Sequence, residues 1–280
     1  MENSRLEAYT NPLAEIFPLK KNPLVQCITN EITCESVANA LLYIGAKPVM
    51  ADDPREFADF FKQNDSLLLN LGHLSPEREA NLLAAAAFSE KTETPMVIDL
   101  VGVSASQLRY DLAWQLMVHQ PQIVKGNISE LRRFCQLTSH GRGVDGSQLD
   151  QEMAALQELA AALQKVAQDY PETIFLATGV QDLLVTTKEC LLLKNGVWQL
   201  DNFTGTGDIV GALAAAFLGS ERSIMAALAA VTYFNLCGEA ASQTLRAPQA
   251  LADFRQETLN QLALLKEQPL WFEKLKGSVL

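Results

Sequence analysis

The stretch Asn202-Phe203-Thr204-Gly205-Thr206-Gly207-Asp208, followed by IVGALAAAFLG, is where residue types and spacing first suggest chemistry. Val197–Leu200 reads as a strand leading into a glycine-rich turn, and the turn opens an Ala-rich helix stopped by Gly219. At such a junction the N–H groups of the first turn lack intrahelical acceptors, and the helix dipole adds partial positive charge. Glycine lets a phosphate approach that backbone closely. Gly205, Thr206 and Gly207 therefore form a candidate anion hole made of main chain, with Asp208 at its mouth, at about the first residue of the helix. The simpler reading makes Asp208 a helix cap and the two glycines parts of a tight turn. A lone G-x-G-D pattern does not separate the two. The three histidines (His73, His119, His140) show no H-x-x-x-H spacing and no neighbouring cysteine, so a histidine-based metal cluster is not expected.

The elements that must position this turn are legible as alternating patterns. Leu67–Leu71, Pro95–Val101, Gln122–Val124 and Thr173–Ala177 are short runs that are apolar throughout, as expected of parallel strands covered on both faces. Between them lie helical stretches with defined ends. Ser75-Pro76-Glu77 supplies a cap, a first-turn proline and an acid for a helix running to about Glu90. Asn127 with Glu130 reads as a capping box, and Leu156, Leu159, Leu163 and Val166 mark one face of a helix ending near Tyr170-Pro171. Asn30 reads as the N-cap of a helix running to Gly45. Strands alternating with helices predict βαβ crossovers and a three-layer α/β/α fold with a mostly parallel central sheet. Asn195-Gly196, between Cys190–Leu193 and Val197–Leu200, is a hairpin signal that predicts an antiparallel edge. From Asp208 to Leu245 the chain is helical, a last helical stretch contains Trp271, and Thr138–Gln148, with three glycines, is an expected loop. Residues 1–280 read as one domain.

Composition narrows the classes. Lys plus Arg is 22 and Asp plus Glu is 33, a net charge of −11, with no basic block and no aromatic stacking platform. A nucleic-acid or anionic-membrane binder is therefore not expected, and a phosphate ligand must be held by local geometry against the overall field. Five scattered cysteines without a C-x-x-C pair suit reduced cytosolic thiols. The acidic N-terminus shows no signal peptide, and fully apolar stretches such as Ile209–Leu218 are shorter than the roughly 18 residues of a membrane span. The expectation is a soluble, cytoplasmic protein.

G-T-G-D opening an Ala-rich helix resembles the ribokinase-like kinases of small alcohols, and the first half is similar to the hydroxyethylthiazole kinases of thiamine biosynthesis and salvage. The resemblance runs in order through PLVQCITN (Pro23–Asn30), ANALLYIGAKPVM (Ala38–Met50), LLLNLGHLS (Leu67–Ser75), VIDLVGV (Val97–Val103), IVKGNISEL (Ile123–Leu131), GVD (Gly143–Asp145), ATG (Ala177–Gly179) and FTGTGD (Phe203–Asp208). It implies a ribokinase-like fold and ATP-dependent phosphorylation of 4-methyl-5-(2-hydroxyethyl)thiazole. It further implies Asp208 as the catalytic base, Asp99 and Glu130 near a Mg²⁺ ion, and Lys125, Thr178 and Asn30 at the nucleotide. Met50 and Gly205 would contact the substrate, and the assembly would be a homotrimer whose thiazole pocket takes residues near Met50 from an adjoining subunit. The chain departs from the family pattern at Asp208 (usually cysteine), Lys125 (usually arginine), Leu100 (usually proline), Val180 (commonly an acid) and Gln26-Cys27 (commonly with a histidine). The departures leave open a kinase of another heteroaromatic alcohol, such as hydroxymethylpyrimidine or pyridoxal. A non-catalytic thiazole or nucleotide binder is the further alternative, although a binder has no need of a base.

Overall fold

The computed structural model describes residues 3–139, 149–268 and 270–280. In chain order its elements are α1 (Asn3–Ile16), β1 (Leu24–Ile28), α2 (Cys34–Ile44), β2 (Lys47–Val49), α3 (Pro54–Phe60), β3 (Ser66–Asn70), α4 (Pro76–Thr92), β4 (Met96–Asp99), α5 (Gln107–Met117), β5 (Ile123–Asn127), α6 (Ile128–Phe134), α7 (Met153–Asp169), β6 (Ile174–Thr178), β7 (Asp182–Val185), β8 (Cys190–Leu193), α8 (Thr206–Leu218), α9 (Ile224–Thr244), α10 (Leu251–Leu264) and β9 (Gly277–Val279). The nine strands form one sheet in the order β2-β1-β3-β4-β5-β6-β7-β8-β9. Pairing is parallel from β2 to β6 and antiparallel from β6 to β9.

Alternation along the strands explains why their sequences are apolar throughout. Leu68, Val97 and Ile123 point into one core with residues of α1, α2, α8, α9 and α10. Leu67, Leu69, Met96, Ile98 and Val124 point into a second core with α3 to α7. A sheet covered on both faces has no polar side to encode, and the three-layer expectation holds. The helix caps follow suit: Ser75 accepts from Arg78 N, and Asn127 with Glu130 completes a capping box. Helix α9 is long and apolar enough to cross a membrane, but 83% of that stretch is buried inside the fold, packed as a central core helix.

Two local expectations are corrected. The antiparallel edge exists, but Asn195-Gly196 does not turn a hairpin, and Val197–Leu200 is not a strand; Trp198–Asn202 is a 3-10 turn. The free edge of β8 is taken by β9 from the end of the chain. Asn195 Oδ1 accepts from Lys276 N at 2.7 Å, and Gly196 N donates to Glu239 Oε1 on α9 at 2.9 Å, so the turn is anchored away from the sheet. The N-cap of α2 is Thr33 and not Asn30, although Gly45 does end the helix in a left-handed conformation. Residues 140–148, which hold the GVD motif, His140 and most of the expected loop, lie outside the described residues.

Candidate active site

Gly205 is the N-cap of α8, with φ of 99°, a left-handed conformation that glycine adopts without the strain of a β-carbon. Ile209 N donates to Gly205 O, which leaves the N–H groups of Thr206, Gly207 and Asp208 ahead of it with no intrahelical acceptor. Asp208 is the third residue of α8 and is buried. It does not cap the helix. Its Oδ2 accepts from Thr33 Oγ1 at 2.6 Å and from Asn30 Nδ2 at 3.0 Å, and its Oδ1 accepts from Asn70 Nδ2 at 2.8 Å. Three side-chain donors, from the β1–α2 connection and the end of β3, thus fix one carboxylate at the mouth of a helix N-terminus.

The sheet register sets the neighbouring groups. Asn70 of β3 lies opposite Asp99 of β4, and Asp99 lies opposite Lys125 of β5, all at the C-terminal side of the parallel strands. In such sheets that side is where ligands bind. Lys125 Nζ donates to both oxygens of the fully buried Asp99 at 3.1 Å. A β-carbon built on Gly207 would stand 2.8 Å from the same Nζ, so the ammonium lies against the backbone that opens α8. Burial works against the charge of Lys125, but Asp99, Glu130 and Asp208 outweigh it and hold its pKa above the ordinary lysine value. Burial pushes the Asp99 carboxyl up to about 6, with Lys125 pulling it back and Asp208 adding to the rise. Burial likewise pushes Glu130 to about 7. Three acids surround one amine.

Glu130 performs the capping role read from the sequence: Oε2 accepts from Asn127 N and Oε1 from Gly102 N, both at 2.7 Å. Among the described residues no cluster of three or more His, Cys, Asp or Glu could hold a metal. A cation carried by a triphosphate needs only one or two carboxylates and keeps several waters. Asp99 and Glu130 fit that lesser demand. Thr178 closes β6, next to Asn127 in register, and its Oγ1 donates to Gly126 O at 3.4 Å; β6 is three strands from β3, which carries Asn70, and Thr178 is not among the partners of Asp208.

Met50, expected at the substrate, lies on the wall of a small cavity of this chain. The cavity measures about 200 Å³ and is lined also by Cys27, Thr29, Cys34 and Arg78. Drug-sized ligands occupy roughly 300–1,000 Å³, so this space suits a single small ring. Two of its lining residues, Thr29 and Cys34, are sequence neighbours of Asn30 and Thr33, which hold Asp208 Oδ2. A broader apolar depression around Tyr110, Trp114 and Val118 lies on the other layer of the sheet, away from this chemistry. The departures from the family pattern sit variously: Leu100 is buried, Val180 is exposed, and Gln26 is buried with Nε2 donating to Ala51 O at 2.8 Å.

Sequence reasoning missed Asn70 and Thr33. The available signal for Asn70 is a lone amide ending an otherwise apolar strand, and for Thr33 its place three residues after Asn30. Neither spacing says that both converge on Asp208, 138 and 175 positions away.

The chain matches the model of the hydroxyethylthiazole kinase family over residues 18–268. It is 59% identical over 266 residues to a hydroxyethylthiazole kinase of Enterococcus faecalis, covering 95% of this chain and 97% of that protein. Among solved structures it is similar to a hydroxyethylthiazole kinase protein of Pyrococcus horikoshii, with TM-score 0.83, 23% identity and coverage of 98% and 99% of the two chains. A ribokinase-like superfamily protein of E. faecalis superposes with TM-score 0.59 and 15% identity, over 91% of this chain and 95% of that one.

Proposed function

The chain belongs to the hydroxyethylthiazole kinase family, and on that premise we propose that Asp208 is the base that lets ATP phosphorylate the primary alcohol of 4-methyl-5-(2-hydroxyethyl)thiazole, a step of thiamine biosynthesis or salvage. The observation that carries this reading is the placement of the Asp208 carboxylate. Three side-chain donors hold it at the opening of α8, whose first N–H groups lack intrahelical acceptors. In this reading the ring sits against Met50 and the alcohol oxygen points to Asp208. The oxygen attacks the γ-phosphorus in line as its proton passes to Asp208 Oδ. The N–H groups of Thr206 and Gly207 and the Lys125 ammonium take up charge on the transferring group, which is where phosphoryl-transfer catalysis gains most. Asn30, Thr33 and Asn70 position the base, and Gly205 contributes backbone at the substrate side.

Mg²⁺ belongs to the same proposal. Bound with ATP, it supplies neutralisation of phosphate charge, and Asp99 and Glu130 are the carboxylates that would hold it through water. Thr178 and Asn30 are assigned to the nucleotide side. A cytoplasmic homotrimer completes the reading, supported by the apolar side chains of Ile32 and Leu42, exposed beside the cavity-bearing segment.

The test is ADP release with the thiazole alcohol, hydroxymethylpyrimidine or pyridoxal, each with and without Mg²⁺. Turnover of the thiazole alcohol alone, dependent on Mg²⁺, is expected. Preference for either of the other alcohols would overturn the substrate assignment, and tight binding without turnover would make the protein a binder.

A further inference from the structure

Two residues that line the cavity beside Met50 carry buried polar atoms that the fold leaves without partners. Thr29 is only 6% exposed, yet its Oγ1 has no hydrogen-bond partner. Arg78 Nε is likewise buried and unpartnered. Both residues line the cavity. A buried donor left unsatisfied costs free energy, and two on one small cavity mark a place built for a ligand with polar atoms.

Arg78 is held rigidly enough to recognise one. It is the third residue of α4, and its N–H donates to the N-cap Ser75 Oγ at 3.1 Å. Its Nη2 donates to Thr29 O, and its Nη1 stands 3.8 Å from Asp52 Oδ2. Nη2 thereby uses one N–H, Nη1 makes no hydrogen bond at that distance, and Nε has no partner, so the guanidinium keeps unused N–H donors. The charge of the guanidinium is met by Asp52 and Glu31, which face the same cavity. An anionic ligand would meet those two acids, so the free donor suits a neutral acceptor. Cys27, Cys34 and Met50 supply soft, polarizable walls of the kind that pack against an aromatic ring.

Resting on the assignment of this cavity to the thiazole alcohol, we infer that Arg78 is a specificity-determining residue whose guanidinium donates an unused N–H to the ring nitrogen of a neutral heteroaromatic alcohol. An azole nitrogen is a weak base that keeps its in-plane lone pair near neutral pH, whereas a C–H at the same ring position would leave that N–H unsatisfied. Fixing the nitrogen fixes the rotation of the ring, and with it the direction in which the hydroxyethyl arm leaves toward Asp208.

The experiment compares the thiazole alcohol with its thiophene analogue, in which C–H replaces the ring nitrogen, in the parent protein and in Arg78→Met and Arg78→Lys. The parent is expected to prefer the thiazole by roughly 10–100-fold in kcat/KM, the range of a hydrogen bond from a charged donor. Both variants should lose that preference through a higher KM for the thiazole, with KM for ATP and for the thiophene alcohol near the parental values. A parent that uses the two alcohols equally would overturn the inference even if neither variant folds. Variants that weaken both alcohols alike would reduce Arg78 to a structural prop and overturn it too. Absence of any turnover of the thiazole alcohol is a different failure, that of the site assignment itself.

Discussion

At the scale of single residues, the environment of Asp208 changes what its substitution does. Taken as a helix-end acid, Asp208 could become Asn with little loss of stability, since Asn also caps well. The structure surrounds it with three donors instead: Thr33 Oγ1, Asn30 Nδ2 and Asn70 Nδ2. One face of an Asn amide must then point its own NH₂ at a donor. Asn70 cannot turn over to accept it freely, because its Oδ1 already accepts from Gly72 N at 2.9 Å. Asp208→Asn is therefore expected to lower stability by about 1–3 kcal/mol and kcat by roughly 10²–10⁴-fold, read from urea melts and steady-state rates on the same preparation. Asp208→Cys, the residue usual in the resembling family, should fall between Asp and Asn in rate, since a largely neutral thiol accepts protons less readily. An Asn variant as fast as the parent would remove the base from the mechanism.

At the scale of elements, the start of α8 separates activity from stability. Gly207 lies in the first turn at an ordinary helical conformation, where Ala is the better helix former by up to about 1 kcal/mol. A methyl there would nevertheless approach Lys125 Nζ to 2.8 Å and fill the anion hole. The gain in helix propensity is opposed by pushing the buried ammonium off Asp99, so Gly207→Ala should leave the melting temperature unchanged or lower it while reducing kcat at least tenfold; a fully active variant would show that the anion hole is not used. The β6–β7 turn makes a second, pH-dependent prediction. Asp182 is buried at the start of β7, and its carboxylate accepts from Gly179 N and from Asn235 Nδ2 on α9. Burial still pushes its pKa to about 7, against 3.8 for an ordinary carboxyl, with the two hydrogen bonds pulling it back. Between about pH 4 and 7 the unfolded chain releases this proton while the folded protein keeps it. The unfolded state then binds fewer protons, so stability falls as pH rises through that window and levels off above 7, by up to about 4 kcal/mol for one group. Asp99 and Glu130, also raised, act in the same direction. Asp182→Asn loses hydrogen bonding at every pH, but its stability profile between pH 4.5 and 7.5 should be shallower; an unchanged slope would show that Asp182 is ionised throughout.

At the scale of the whole molecule, a net charge of −11 coexists with a site meant for triphosphate. Local geometry resolves the conflict, since main-chain dipoles and one buried lysine act at a few ångströms while the surface charge is screened by salt over about 10 Å. Assembly is the other question at this scale. Ile32 is 77% and Leu42 55% exposed, both close in sequence to residues that hold Asp208 or line the cavity. If they cover one another in a trimer, Leu42→Asp should convert the parental trimer to smaller species in sedimentation and lower kcat/KM for the alcohol. A parent that sediments as an active monomer would dismiss the trimer altogether.

The sequence by itself determined the layers and pointed to the turn before Asp208 as the candidate site. Apolar strands alternating with capped helices dictate a sheet buried on both faces, and the glycines before Asp208 mark a turn that lets backbone approach closely at a helix start. These are local signals, written within a few residues of one another. What only the tertiary structure decided is long-range: that Asn70 and Thr33 meet at Asp208, that Lys125 pairs with Asp99 across one strand register, and that Arg78 and Thr29, both with unpartnered polar atoms, line the same cavity. The Asn195-Gly196 turn makes the same point in reverse. Its local propensity favours a hairpin, but β9 arrives from the end of the chain and occupies the edge where the returning strand would lie, and no local pattern records which distant segment reaches an edge first.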